Sequence, residues 1–321
     1  MKKNTFKLGS SIDTASELLR TMEHQLLYVS DLFSPAPKDA GKAIHRARQT
    51  YKKCRALLRL MRDAMGYAAY YRENICLREM QRELSRIRDA DVQYKLFTRL
   101  SEDFPEFGKK AWFAGIMKEA RKNYDLEMDH FLESGKAADI SRQSYAKALQ
   151  CRQYTLNGEG FALIEGGLTR IYRQGREMGT LVFTQDADAF EIHSFRKKAK
   201  YLQYQLTYLR TISKSLIKAM SSTMEQLADN LGYYNDLYIA CMRIQAYAED
   251  HQIGQKKNLE ILLGRLREEM EGAKEDSRKI YEMQYAEKPK HYIRRLGRYW
   301  ELHAQSLGEE DIAGSRAGQG R

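Results

Sequence analysis

The chain is 321 residues long, 43% hydrophobic and 30% charged, so it can bury a core and is not of disordered composition. Lys and Arg number 54 against 43 Asp and Glu, a net charge of +11. No run approaches the roughly 18 apolar residues of a membrane span, and Met1-Lys2-Lys3-Asn4 leads into no secretory-type apolar run; export and membrane insertion are not expected.

Only four prolines, few Val and many Leu, Arg, Glu, Tyr and Met predict an all-α chain. A first helix is expected from about Ile12 to Asp31, capped by Ser10 or Ser11. Ser34-Pro35-Ala36-Pro37 breaks the chain, and a second helix runs from about Lys38 to Met65, ended by Gly66. Helices are expected over 68–86, 88–102 (to Phe104-Pro105) and 109–134. The stretch 139–178 is helical with a glycine break near 157–160, and a loop over 180–188 precedes a helix over 188–211. Helices over 213–250, 255–284 and 289–307 complete the chain, Pro289 sitting where a helix start tolerates it. Gly308 to Arg321 has four Gly and almost no large apolar residue, so a disordered tail is expected.

Cys54, Cys76, Cys151 and Cys241 are scattered, with no CxxC, and fit reduced thiols rather than a disulfide or zinc framework. Charge is not scattered. Residues 40–62 hold eight Lys/Arg and residues 192–224 seven, neither with an acid, so the rest of the chain is net acidic by four. Concentrated charge of this kind points to an anion site.

Both basic segments read as amphipathic helices. Ile44, Ala47, Tyr51, Cys54, Leu58 and Met61 share one face at 3-4 spacing, a core stripe. One residue on, His45, Arg48, Lys52, Arg55, Arg59 and Arg62 form a second stripe about 100° around. In the second segment Ile192, Phe195, Ala199, Leu202, Leu206 and Leu209 make the core stripe. His193, Arg196, Lys200, Gln203, Thr207 and Arg210 lie beside it. A solvated face usually mixes signs, because Glu–Lys pairs help a helix; like charges at i, i+3 and i, i+4 oppose it by a few tenths of a kcal/mol per pair. The alternative to an anion site is a chance basic face.

Ile44-His45 with Arg48 and Lys52 recurs as Ile192-His193 with Arg196 and Lys200, an offset of 148. Leu84 to Asp89 aligns with Leu231 to Asp236 at an offset of 147. Two anchors in near register imply a duplicated helical unit: 1–150 and 151–307, with 308–321 as the tail. Asp89 and Asp236, at matching positions, are read as carboxylates that orient cations rather than line an anion path. Arg170, Arg173 and Arg176 add three cations at spacing three, read as one helical face, just before the second unit. His45 and His193, at the head of each stripe, suit either a structural role or contact with an anion.

These residues resemble the CHAD family, the conserved histidine α-helical domain. The likeness rests on Ile44-His45-x-x-Arg48-x-x-x-Lys52-Lys53-x-Arg55 and Ile192-His193-x-x-Arg196-x-x-x-Lys200. It rests also on Ile87-Arg88-Asp89-Ala90-Asp91-Val92, Leu231-Gly232-x-x-Asn235-Asp236 and Tyr172-Arg173-Gln174-Gly175-Arg176. It covers about 12–305. The resemblance implies two helical bundles of about four or more helices, related by a pseudo-twofold, with a basic cleft. It also implies binding of inorganic polyphosphate and association with polyphosphate granules in the cytoplasm. Carried over by position, the binding residues are His45, Arg48, Lys52, Arg55, Arg59, His193, Arg196, Lys197 and Lys200, with Arg170, Arg173 and Arg176 as weaker matches. Two departures stand out: Gln203 where Arg is frequent, so unequal halves are expected, and Ser85 where Gly is usual. The alternating-Glu motif of triphosphatase domains is absent, so hydrolysis is not implied.

The expected function is therefore non-enzymatic polyphosphate binding, without cofactor or metal. The alternative is nucleic acid or another polyanion on the same surface, with Tyr51, Tyr201 and Tyr204 beside the stripes. An enzyme acting on phosphate chains would need converging carboxylates, and Asp89, Asp91 and Asp236 are the candidates.

Overall fold

The computed structural model describes residues 5–9, 13–254 and 256–318, with side chains as far as Leu307. It is all-helical. The first helices are α1 (Thr14–Leu32), α2 (Ala40–Leu60), α3 (Arg62–Met65), α4 (Tyr67–Glu83), α5 (Ser85–Asp103), α6 (Pro105–Gly108), α7 (Ala111–Glu133) and α8 (Lys136–Cys151). Then come α9 (Ala162–Thr184), α10 (Ala189–Tyr208), α11 (Lys214–Asp250), α12 (Lys256–Gln284) and α13 (Pro289–Gly318). A single 3₁₀ turn, Leu209–Thr211, follows α10.

Local chemistry sets the helix starts. Asp13 caps α1 by accepting from Ser16 N at 3.1 Å. It takes the place of Ser10 and Ser11, which lie outside the described residues. Asp39 caps α2, accepting from Lys42 N at 2.9 Å. Asp188 and Glu191 form a capping box on α10, with bonds of 2.8 and 3.0 Å. Gly66, at φ +82°, turns the chain between α3 and α4, a conformation L side chains resist.

Three boundaries differ from expectation. The second helix bends at Met61, so α3 is separate. The loop before α10 is shorter than 180–188, because Thr180 and Thr184 bond back to the carbonyls four residues earlier and α9 continues to Thr184. The backbone of α13 is helical to Gly318, past the expected start of a disordered tail; Glu309, Glu310 and Ala313 favour helix there. Residues 319–321 lie outside the described residues.

Packing follows the apolar stripes. α1 packs on α8 and α2, α2 on α4, and α5 on α7. α10 lies against α9 and α11, α11 against α12, and α13 against α9. The N-terminal helices meet the C-terminal ones where α2 touches α10 and α9, where α3 touches α9, and where α5 and α7 touch α11. Every predicted core-stripe residue of α2 and α10 is buried, and the buried side chains of both halves form one cluster. At the junction the buried amide of Gln205 donates to Ala56 O at 3.2 Å. All four cysteines are free thiols.

Gly167 allows α9 to approach the end of α2. A Cβ there would sit 2.1 Å from Leu60 O and 2.4 Å from Arg59 O. Backbone cannot swing aside as a side chain can, so Gly167→Ala is expected to destabilise the fold by about 1–3 kcal/mol. Gly264, in α12, has nothing within 4 Å of that position, so Gly264→Ala should stabilise by about 0.5–1 kcal/mol. Chemical denaturation of both variants checks the pair; equal effects would contradict this packing.

Candidate basic cleft

The same 3-4 spacing that buries one face of α2 and α10 turns the neighbouring stripes toward a shared cleft of about 1380 Å³. Its walls carry ten Lys or Arg, two His and four acids. From α2 come His45, Arg48, Lys52 and Arg55; from α10 come His193, Arg196, Lys197 and Lys200. Asp89 and Asp236 also line it. Ten of the fourteen residues singled out in the sequence thus converge on one place.

The other four do not. Arg59 is on the α2 stripe but about 21 Å along the axis from His45. There its guanidinium stacks on Tyr201, 4.0 Å from the ring centroid, and donates to Arg55 O and Asn74 Oδ1. Arg170 pairs with Asp63 at 3.0 Å, Arg173 faces Glu177 at 4.0 Å, and Arg176 Nε donates to Tyr285 O at 3.1 Å. Residues three apart fall back 60° per step, so these three arginines fan around α9 instead of forming a stripe.

The two central arginines are held alike. Arg48 Nη1 donates to Ser85 Oγ at 2.7 Å and Gln81 O at 3.4 Å. Arg196 Nε donates to Ala228 O at 3.3 Å, and its guanidinium lies where a Cβ on Gly232 would be 2.8 Å away. Ser85, the departure in the first signature, supplies a hydroxyl where Gly232 supplies space. Asp89 reaches Arg48 only at 3.8 Å. Asp236 makes no ion pair among the described residues; Asp229 pairs with Lys200 at 3.1 Å instead.

Half-burial dominates the electrostatics. Lys52 is pushed down to about 8, first by burial and then by Arg48, Arg196 and Lys200. His45 is lowered by burial and by Arg88 and Lys95, and His193 by burial and by Lys197 and Arg196. Burial also lowers Lys53, Arg48 and Arg55, and raises Asp89 and Asp236. Even at the Arg48–Asp89 contact, burial outweighs pairing for both partners. The charged forms of the lysines, arginines and histidines would be stabilised by an anion replacing lost water, whereas the two carboxylates would be pushed up further. His193 Nδ1 and Gln203 Oε1, although buried, find no hydrogen-bond partner among the described residues. Among the described residues, no three His, Cys, Asp or Glu converge as metal ligands would, and no helix is long and apolar enough to cross a membrane.

Sequence reading left several cleft residues unassigned. Lys53 sat in the quoted signature, Arg210 on the stripe and Lys218 in the acid-free segment, so a signal existed for each. Arg88, on α5, also sat in a quoted signature, whereas Glu225 and Asp229 come from α11 and only packing brings them in.

Lys52 gives a direct check. Its amine is expected to titrate near pH 8 by NMR, and Arg196→Ala should move the midpoint upward. An unfolded lysine near 10.5 binds more protons over that window, so stability should rise with pH from about 8 toward 10.5. A midpoint near the ordinary 10.4 would contradict the crowding described above.

No curated protein matches the chain. The family profile described as CHAD domain matches residues 24–245, well over half of its length. That span runs through α2, both histidine-bearing stripes and the arginine contacts on α5 and α11. The chain belongs to the CHAD family.

Proposed function

We propose that this protein binds inorganic polyphosphate in the cleft between α2 and α10 and does so without turning it over. The observation that carries the reading is the convergence of two acid-free stripes, from segments 148 residues apart, on one half-buried surface. Family membership supports a polyphosphate-related role. A linear polyanion neutralises the cations and releases counterions, and arginine adds bidentate contacts to phosphate oxygens.

The matched contacts support a duplicated origin for the two halves. Arg48 reaches the carbonyl of residue 81 and Arg196 that of residue 228; the arginines are 148 apart and their partners 147. In this reading one phosphate chain runs past both stripes. The carboxylates fit a binding role, since Asp89 faces Arg48 and Asp229 holds Lys200. They act as provisional counterions that the ligand replaces. Residence in the cytoplasm at polyphosphate granules is part of the same proposal.

With ten Lys/Arg and four acids in the cleft, the log–log slope of affinity against salt is expected to be roughly −4. The variant Arg48→Ala/Lys52→Ala/Arg196→Ala/Lys200→Ala should bind at least about a hundredfold more weakly, with a much shallower slope. Circular dichroism would establish that it still folds. Unchanged affinity and slope in a folded variant would place binding elsewhere.

A further inference from the structure

One end of the cleft differs from the rest. Phe190, in the first turn of α10, is 73% exposed, and Tyr238 on α11 is 37% exposed. Both line the cleft. α10 and α11 run antiparallel, with Thr207 Oγ1 on Ser221 Oγ at 2.8 Å and Lys200 on Asp229 at 3.1 Å. Continuing that register past Arg196 and Gly232 sets Phe190 opposite Tyr238. The two rings do not touch each other; the ring contact recorded for Phe190 is Lys197 Nζ, 5.8 Å from its centroid. A single exposed aromatic needs no explanation. Two at the same level of neighbouring helices, both lining a cationic cleft, offer a place where a flat ring can enter.

The cations continue inward from that mouth. His193 and Lys197 lie one and two turns along α10 from Phe190, with Arg196 beside Lys197 and Lys200 beyond. The other aromatics of the cleft are less open. The Arg59 guanidinium lies over one face of half-buried Tyr201, and Tyr204 is buried. A single-stranded nucleic acid stacks successive bases on successive platforms. Here one platform precedes a run of positive charge, which fits one ring followed by several phosphates.

We infer that the Phe190–Tyr238 mouth is a stacking subsite and that the cleft takes nucleoside polyphosphates, the base between these rings and the phosphate chain along His193, Lys197 and Arg196. The inference rests on the proposed phosphate-binding role of the cleft.

The test compares adenosine 5′-tetraphosphate with inorganic tetrapolyphosphate by calorimetry on the full chain at one salt concentration, with long-chain polyphosphate as a reference. Wild type is expected to bind the nucleotide about tenfold more tightly than the inorganic anion. Phe190→Ala should remove that advantage and leave the inorganic arm unchanged, while Phe190→Tyr should keep it. Equal affinity for the two anions in wild type overturns the subsite, as does an equal loss in both arms of Phe190→Ala. If long-chain polyphosphate still binds, the parent reading survives that result; if none of the three binds, both fall. A ten-residue oligodeoxyadenylate that loses more affinity in Phe190→Ala than the nucleotide does would assign the mouth to nucleic acid and overturn the proposal.

Discussion

Two helices that repel each other electrostatically are packed side by side, and the rest of the molecule makes that possible. Ile44, Tyr51, Phe195 and Leu202 are fully or almost fully buried, and each large apolar side chain taken from water contributes about 1.5–3 kcal/mol. Like-charge neighbours on a helix oppose folding by only a few tenths of a kcal/mol per pair. Burial therefore wins, and the cations one residue along are carried into a partly desolvated cleft whether or not an anion is there. Lys52 records the consequence most clearly, pushed down to about 8 by burial and by arginines from both sides.

This arrangement links the fold to its chemistry. Rigid helices fix the spacing of the charges, so little ordering is left for the binding step. Arg48 and Arg196 are each tethered through a backbone carbonyl on a neighbouring helix, which leaves the rest of each guanidinium fork for a ligand. The acids present are too few and too poorly placed to neutralise the cleft: Asp89 stands 3.8 Å from Arg48, and burial pushes both Asp89 and Asp236 up. The cleft carries more positive charge than its acids balance.

Much of this was legible in the sequence, because 3-4 spacing reports directly on which side of a helix a residue lies. All twelve core-stripe residues of the two basic helices are buried, and the stripes beside them supply seven of the binding residues named in advance, with Lys197 one position off its stripe. The failures have equally plain causes. The α9 arginines were read as a face although a spacing of three drifts around the helix, and their partners Asp63 and Tyr285 are more than 100 residues away. Arg59 lies on the right face but too far along it. Asp13 displaced the expected serine caps. The opposition of Phe190 and Tyr238 depends on the α10–α11 register, which no local pattern encodes.

The central claim is that one anion-binding surface is shared by α2 and α10. Lysine acylation with and without long-chain polyphosphate, read residue by residue by mass spectrometry, tests it most directly. The account predicts that Lys52, Lys53, Lys197 and Lys200 are protected together, while Lys118 and Lys122, exposed on α7, react as before. Protection of the α7 lysines, or of one stripe without the other, would contradict it.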